Sequence, residues 1–208
     1  TPSGGFQAKA VPAFIADAIS EDVSAQWADV DLDGDADLYV ASGGIELNEG
    51  DPGLQDRLYL NDGKGNFTKK EGALPVMRSS KSCVRSADVD GDGDPDFFIG
   101  GRIVPGRYPS PARSYLLIND GKGNFQEEIT QRCAGLKEAG MITDILFQDI
   151  NSDRQPDLIT VGEWMPVKVF INQKGIFSDA SATYIPFESS GWWNRIASGD
   201  LDGDGDLD

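Results

Sequence analysis

The 208-residue sequence predicts an all-β fold made of propeller blades, each of four antiparallel strands, and three observations carry this expectation. Two strings recur in a fixed order along the chain, short β-branched and aromatic runs lie between them, and Asn-Asp-Gly turns join those runs as hairpins. The first string is an Asp cluster: DVDLDGDAD at 29–37, DVDGDGDPD at 88–96, DINSDRQPD at 149–157 and DLDGDGDLD at 200–208. The clusters start 59, 61 and 51 residues apart, which sets the size of the repeating unit. The second string is an apolar run that enters a polar turn and ends on an aromatic: LYLNDGKGNF from Leu58, LLINDGKGNF from Leu116 and VFINQKGIF from Val169. GGF, ending at Phe6, matches its tail.

Each unit reads in order as strand, Asp loop, strand, variable loop, strand, Gly-rich turn, strand. The strands leaving the Asp loops are LYVAS from Leu38, FFIGG from Phe97 and LITVG from Leu158. The turns from Asn61 and Asn119 supply residues that tolerate positive φ and so close tight hairpins. No segment sustains an i, i+3, i+4, i+7 apolar pattern with caps, so helices are not expected. The expected blades cover roughly 24–70, 82–130 and 143–180, with a truncated one from 194, all within a single partial propeller spanning 1–208.

Net charge is −17, yet 18 of the 35 acidic residues sit in the four Asp clusters, so the acidity is local. A nucleic-acid partner would need a basic stripe, and the sequence offers none. No run of about 20 apolar residues suggests insertion into a membrane. The first residues, TPSGGF, read as the interior of a longer chain.

Asp at loop positions 1, 3 and 5 turns carboxylates toward one point, and Gly at position 6 allows the sharp bend that brings later groups back. Oxygen donors in that number suit Ca2+. The expected ligands in the first loop are the side chains of Asp29, Asp31, Asp33 and Asp37 with the carbonyl of Asp35. The second repeats them as Asp88, Asp90, Asp92 and Asp96 with Asp94, and the fourth as Asp200, Asp202, Asp204 and Asp208 with Asp206. The third has Asp149, Asn151, Asp153 and Asp157 with the carbonyl of Gln155, and Arg154 where the others have Gly. With fewer charges and a less comfortable bend, it is expected to be the weakest of up to four calcium sites. An EF-hand would close on a Glu at position 12 between helices, whereas Val40, Ile99 and Thr160 stand there and strands follow. As bare acidic turns, these loops would pack carboxylates that repel by about 3 kcal/mol per pair at 5 Å and an effective dielectric near 20.

The paired motifs DxDxDGxxD and NDGKGNF resemble the FG-GAP or VCBS repeat of integrin α-chain propellers and of many bacterial surface proteins. Stretches such as GGRIVPGRYPSPARSYLLINDGKGNF and VGEWMPVKVFIN are most similar to bacterial VCBS-repeat proteins. The resemblance covers nearly the whole chain. It implies that calcium sits between the first two strands of a blade in a structural role, and that rings commonly have seven blades. This chain is then expected to supply about three and a half blades, with the others coming from the same or an associated chain.

If the Asp loops and Gly-rich turns share one face, the remaining loops emerge on the other. Those loops carry Arg102, Arg107, Tyr108, Arg113, Trp164, Trp192 and Trp193, residue types favoured in recognition of protein or glycan. The blander alternatives are that the tryptophans pack between blades and the arginines pair with local carboxylates. A polysaccharide-active enzyme is the competing function; the chain has no His, and Glu163 beside Trp164 is its one acidic candidate worth testing. Cys83 and Cys133 flank one blade, and either a disulfide closing about 50 residues or two buried thiols fits their positions. Modules of this kind bind calcium at roughly 0.1–1 mM, levels met outside cells, so an extracellular, cell-surface or periplasmic setting is expected.

Overall fold

The computed structural model describes residues 8–203. The GGF tail at Phe6 and the ligands expected at Asp204, Asp206 and Asp208 lie outside the described residues.

Three antiparallel sheets follow one another along the chain, each built in strict sequence order. The first contains β1 (Asp22–Ala28), β2 (Asp37–Ser42), β3 (Arg57–Asn61) and β4 (Phe67–Lys69). The second contains β5 (Lys81–Ala87), β6 (Asp96–Gly101), β7 (Tyr115–Asn119) and β8 (Phe125–Glu127). The third contains β9 (Met141–Gln148), β10 (Asp157–Met165), β11 (Lys168–Gln173) and β12 (Ile176–Asp179), extended by the short β13 (Gly191–Trp192) on β10. The leading strands β1, β5 and β9 lie side by side, as the inner strands of adjacent blades do. The arrangement is a partial, unclosed propeller.

In the middle blade the period-2 alternation of the strands is used on both faces, because a neighbouring blade covers each side. In β6, Phe97 and Ile99 pack into the cluster shared with the first blade, beside Tyr39 and Leu58. Phe98 between them faces the third blade, with Ile142, Ile145, Leu158 and Phe170. Phe97 stands 4.6 Å from the Tyr39 ring and 5.2 Å from Phe125. Burying such a ring stabilises by about 2–3 kcal/mol, so a one-residue slip of β6 would exchange two core contacts for one and is strongly disfavoured.

The first two blades are also joined by a fully buried ion pair. Lys81 Nζ lies 2.9 Å from Asp56 Oδ1, with both side chains entirely shielded. Asp56 also accepts from the Tyr39 hydroxyl at 2.7 Å and from the Ser42 amide at 2.9 Å. Lys81 further donates to the carbonyls of Met77, at 2.7 Å, and Leu54.

Helices do occur, contrary to expectation, as single turns in the connections: α1 (Pro12–Ala16), α2 (Ile129–Cys133) and α3 (Ser181–Tyr184). In α2 and the 3-10 turn after it, Ile129, Cys133 and Leu136 point into the core at i, i+4, i+7. That pattern is too short to read as a helix in isolation. After β13 the chain passes along β9: Thr143 Oγ1 donates to the Trp193 carbonyl at 2.7 Å, and Ser198 Oγ to Gln148 Oε1 at 3.3 Å.

Cys83 and Cys133 are free, which corrects the disulfide alternative. Cys83 is on β5 at one edge of its sheet, whereas α2 follows β8 at the opposite edge. Both thiols are buried in the core between the second and third blades without bonding to each other. Burial pushes both thiols up to about 11. Native protein should therefore resist thiol labelling at pH 8 until it is unfolded; rapid labelling of the native state would contradict this packing.

Candidate functional site

The Asp loops all lie at one end of the blades, between the first and second strands. In the first loop the position-1 carboxylate turns back over the loop: Asp29 accepts from the amides of Asp33 at 3.1 Å and Gly34 at 3.0 Å. Asp88 does the same for Gly91 and Gly93, and Asp149 for Asp153 and Arg154. Asp200 begins the same pattern, accepting from Gly203 at 2.6 Å. Position 6 is left-handed in each of the first three loops, with φ of 95° at Gly34, 97° at Gly93 and 69° at Arg154. Only the third loop makes a side-chain-bearing residue adopt it there, at a cost of about 1 kcal/mol or more.

Carboxylate oxygens of Asp29, Asp31 and Asp37 lie within 4.8 Å of one another, as do those of Asp88, Asp90 and Asp96. Oxygens bound to one calcium ion at 2.3–2.6 Å can be no farther apart than about 5 Å. Asp31 Oδ1 and Asp90 Oδ1 are buried without a hydrogen-bond partner, as is Asp94 Oδ1. A buried acceptor left in this way is costly unless something cationic meets it, so these donor sets fit calcium. The protein groups alone make ionisation unfavourable: burial first, then neighbouring Asp charges, push Asp94 up to about 6, and burial does most to push Asp96 up to about 7. A bound cation reverses that preference.

The third loop differs. Asp153 Oδ2 accepts from Asn151 Nδ2 at 2.9 Å and from Gln155 Nε2 at 3.4 Å, so amide donors there supply the positive partners. In the second loop, Arg132 from α2 lies 3.1 Å from Asp90.

The Asp at position 9 has a further task. Asp96 is completely buried and accepts from two backbone amides, Val89 at 3.0 Å and Asn119 at 2.9 Å. Asp37 holds Val30 and Asn61 in the same way, and Asp157 holds Ile150 and Asn172. Each therefore fastens its Asp loop to the Gly-rich turn of its own blade. The turn Asn then reaches the preceding blade: Asn119 Nδ2 donates to the Val30 carbonyl at 2.9 Å and Asn172 Nδ2 to the Val89 carbonyl at 2.8 Å. Gly121, at φ 68°, allows the turn to approach, since a Cβ there would come within 3.2 Å of Asp94 Oδ2. Sequence reasoning missed the Asn latch and the Asp94 side chain. The one available signal was that Asn opens the turn in all three copies of the second string.

At the opposite end, three of the residues expected to form a loop face come together. The Trp164 and Trp192 rings are 5.0 Å apart at 59°, and the Trp164 indole donates to the Tyr108 hydroxyl. All three are more than half exposed. Trp193 instead packs back, donating Nε1 to the Ser189 carbonyl at 2.9 Å. Arg102 is paired with the buried Glu163 and Arg113 with Glu127, while Arg107 stands exposed on its loop. The structure thus places Arg102 beside this cluster and leaves Arg107 and Trp193 outside the stacked rings.

A profile of the FG-GAP-like repeat matches three times, over residues 29–99, 88–160 and 149–208. Each match begins at one Asp loop and runs through the next. No curated protein matches the chain.

Proposed function

The chain belongs to the FG-GAP-like repeat family, and from that premise we propose that it is a calcium-stabilised binding, adhesion or scaffold module of the extracellular or cell-surface space, reading protein or glycan with the loop face opposite its Asp loops. The observation that carries the calcium reading is the pair of buried, unpartnered oxygens at Asp31 and Asp90, repeated at equivalent positions in two blades. Calcium would be held by Asp29, Asp31, Asp33 and Asp37 with the Asp35 carbonyl, and by the corresponding residues from Asp88 to Asp96. The third loop, with its amide donors and its strained Arg154, is the weakest site of the series. The ion would supply charge neutralisation that fixes each loop, and with it the amide and Asn contacts running to the next blade.

The loop face is assigned to recognition rather than to a reaction because Glu163 is buried against Arg102, away from the role of a free acid or base. No helix among the described residues is long and apolar enough to cross a membrane.

Melting in 5 mM calcium and in excess chelator tests the metal reading. With affinities near 0.1–1 mM, each filled loop adds about 1–2 kcal/mol, and two loops in a chain this size shift Tm by roughly 5–15 °C. Asp31→Asn and Asp90→Asn should each remove part of that shift and leave the chelated protein unchanged. An identical Tm with and without calcium would end the structural role of the metal.

A further inference from the structure

We propose that the end opposite the Asp loops binds a neutral oligosaccharide, with Tyr108, Trp164 and Trp192 as a stacking shelf and the polar groups of the adjoining cavity as the hydroxyl-binding part. This rests on the recognition reading of that face and names its ligand class. Three separate segments, the connection between β6 and β7, the end of β10 and β13, deliver the three rings to one place, although side chains of this kind normally contribute most when buried. Trp164 is 62% exposed and its backbone sits at φ 57°. A bulky residue held left-handed is strained, and such strain persists where surrounding structure fixes a residue for use. The strain here serves no core, since the ring it orients faces solvent.

The indole N–H of Trp164 is already given to Tyr108, so what the shelf has left to offer is mainly ring face. A pyranose ring, with one side made of C–H bonds, is complementary to such a surface, while its hydroxyls need polar partners at the rim. Those partners lie next to the shelf: a cavity of about 480 Å³ is lined by Glu21, Glu46, Ser82, Thr143, Arg102 and Arg195, among others. Arg102 on the cavity wall links it to the shelf, because it pairs with Glu163, the strand partner of Trp192 across β10 and β13. The volume suits a small ligand. The three basic side chains on the wall, Lys81, Arg102 and Arg195, are each paired with a carboxylate, of Asp56, Glu163 and Asp144, and Glu21 and Glu46 stand beside them, which favours an uncharged polyol over a polyanion. Its wall mixes Val23, Ile45 and Ile103 with these polar groups, as a ligand with a C–H face and polar hydroxyls requires.

The test titrates the full chain in calcium with neutral hexasaccharides of glucose, mannose, xylose and N-acetylglucosamine, read by indole fluorescence and calorimetry. At least one should bind, with Trp164→Ala and Trp192→Ala each weakening it tenfold or more, while Trp27→Phe on the first blade leaves the affinity unchanged. Both alanine variants should melt like the parent, since the side chains removed are exposed. Failure of every neutral sugar, preference for polygalacturonate or heparin, or binding that survives both variants would overturn the assignment. A protein ligand whose cross-links fall on Tyr108 and Trp164 would overturn the sugar and keep the recognition reading. Sugar binding mapped to the Asp-loop end would overturn both.

Discussion

Asp56→Ala is expected to destabilise the protein by about 5 kcal/mol, the largest effect of any single substitution considered for this fold. Removing one partner of a buried ion pair leaves an uncompensated charge, which costs about 3–5 kcal/mol. Here the loss goes further, because the Ser42 amide and the Tyr39 hydroxyl lose their acceptor at the same time. The two partners are not equivalent. Lys81→Met should cost less, since Asp56 would keep both of those donors, and Asp56→Leu combined with Lys81→Met should recover much of the loss by replacing charge with apolar packing. Urea unfolding of the four proteins measures this directly. A cost below about 1 kcal/mol for Asp56→Ala would mean that the pair is not shielded as the structure has it.

The second large effect is that of Asp96→Ala, with an expected loss of about 3–5 kcal/mol in chelator and more in calcium, where a ligand is lost as well. Two buried amides, those of Val89 and Asn119, would lose their acceptor, at about 1–3 kcal/mol each. The loss would spread, because the same residue, Val89, offers its carbonyl to Asn172 of the next blade. Calcium dependence separates this role from that of a ligand. Asp90→Asn should be silent in chelator, whereas Asp96→Ala should be severe there. If Asp96→Ala were harmless once calcium is removed, the residue would serve the ion alone and the latch would carry no stability.

The order of elements within a blade was legible because it is local. Alternating Asp, a Gly at the bend, an apolar run and an Asn-Gly turn each act on neighbouring residues, and the observed strands fall where those signals put them. Helical turns such as α2 were not legible. Only a few residues make each turn, and they are held by the core they enter rather than by their own propensity. The free thiols likewise depended on tertiary packing: the strings of sequence on which Cys83 and Cys133 lie do not say how their side chains enter the core.

The same division holds for the two ends of the molecule. Asp29, Asp31 and Asp37, or Asp88, Asp90 and Asp96, could be named as one donor set from spacing alone, since a nine-residue loop has little freedom to place them elsewhere. Trp164, Trp192 and Tyr108 could be nominated but not joined, because they come from segments 28 and 56 positions apart whose courses are set by packing of the blades. The Asn latch and the Asp56–Lys81 pair are of this second kind too. By itself, then, the sequence determined the repeating blade and the carboxylate loops, which are consequences of short-range chain geometry. The tertiary structure decided which oxygens stay unpartnered, which Asp is a fastener as well as a donor, and which aromatic rings meet, because those outcomes depend on surfaces distant in the chain being pressed together.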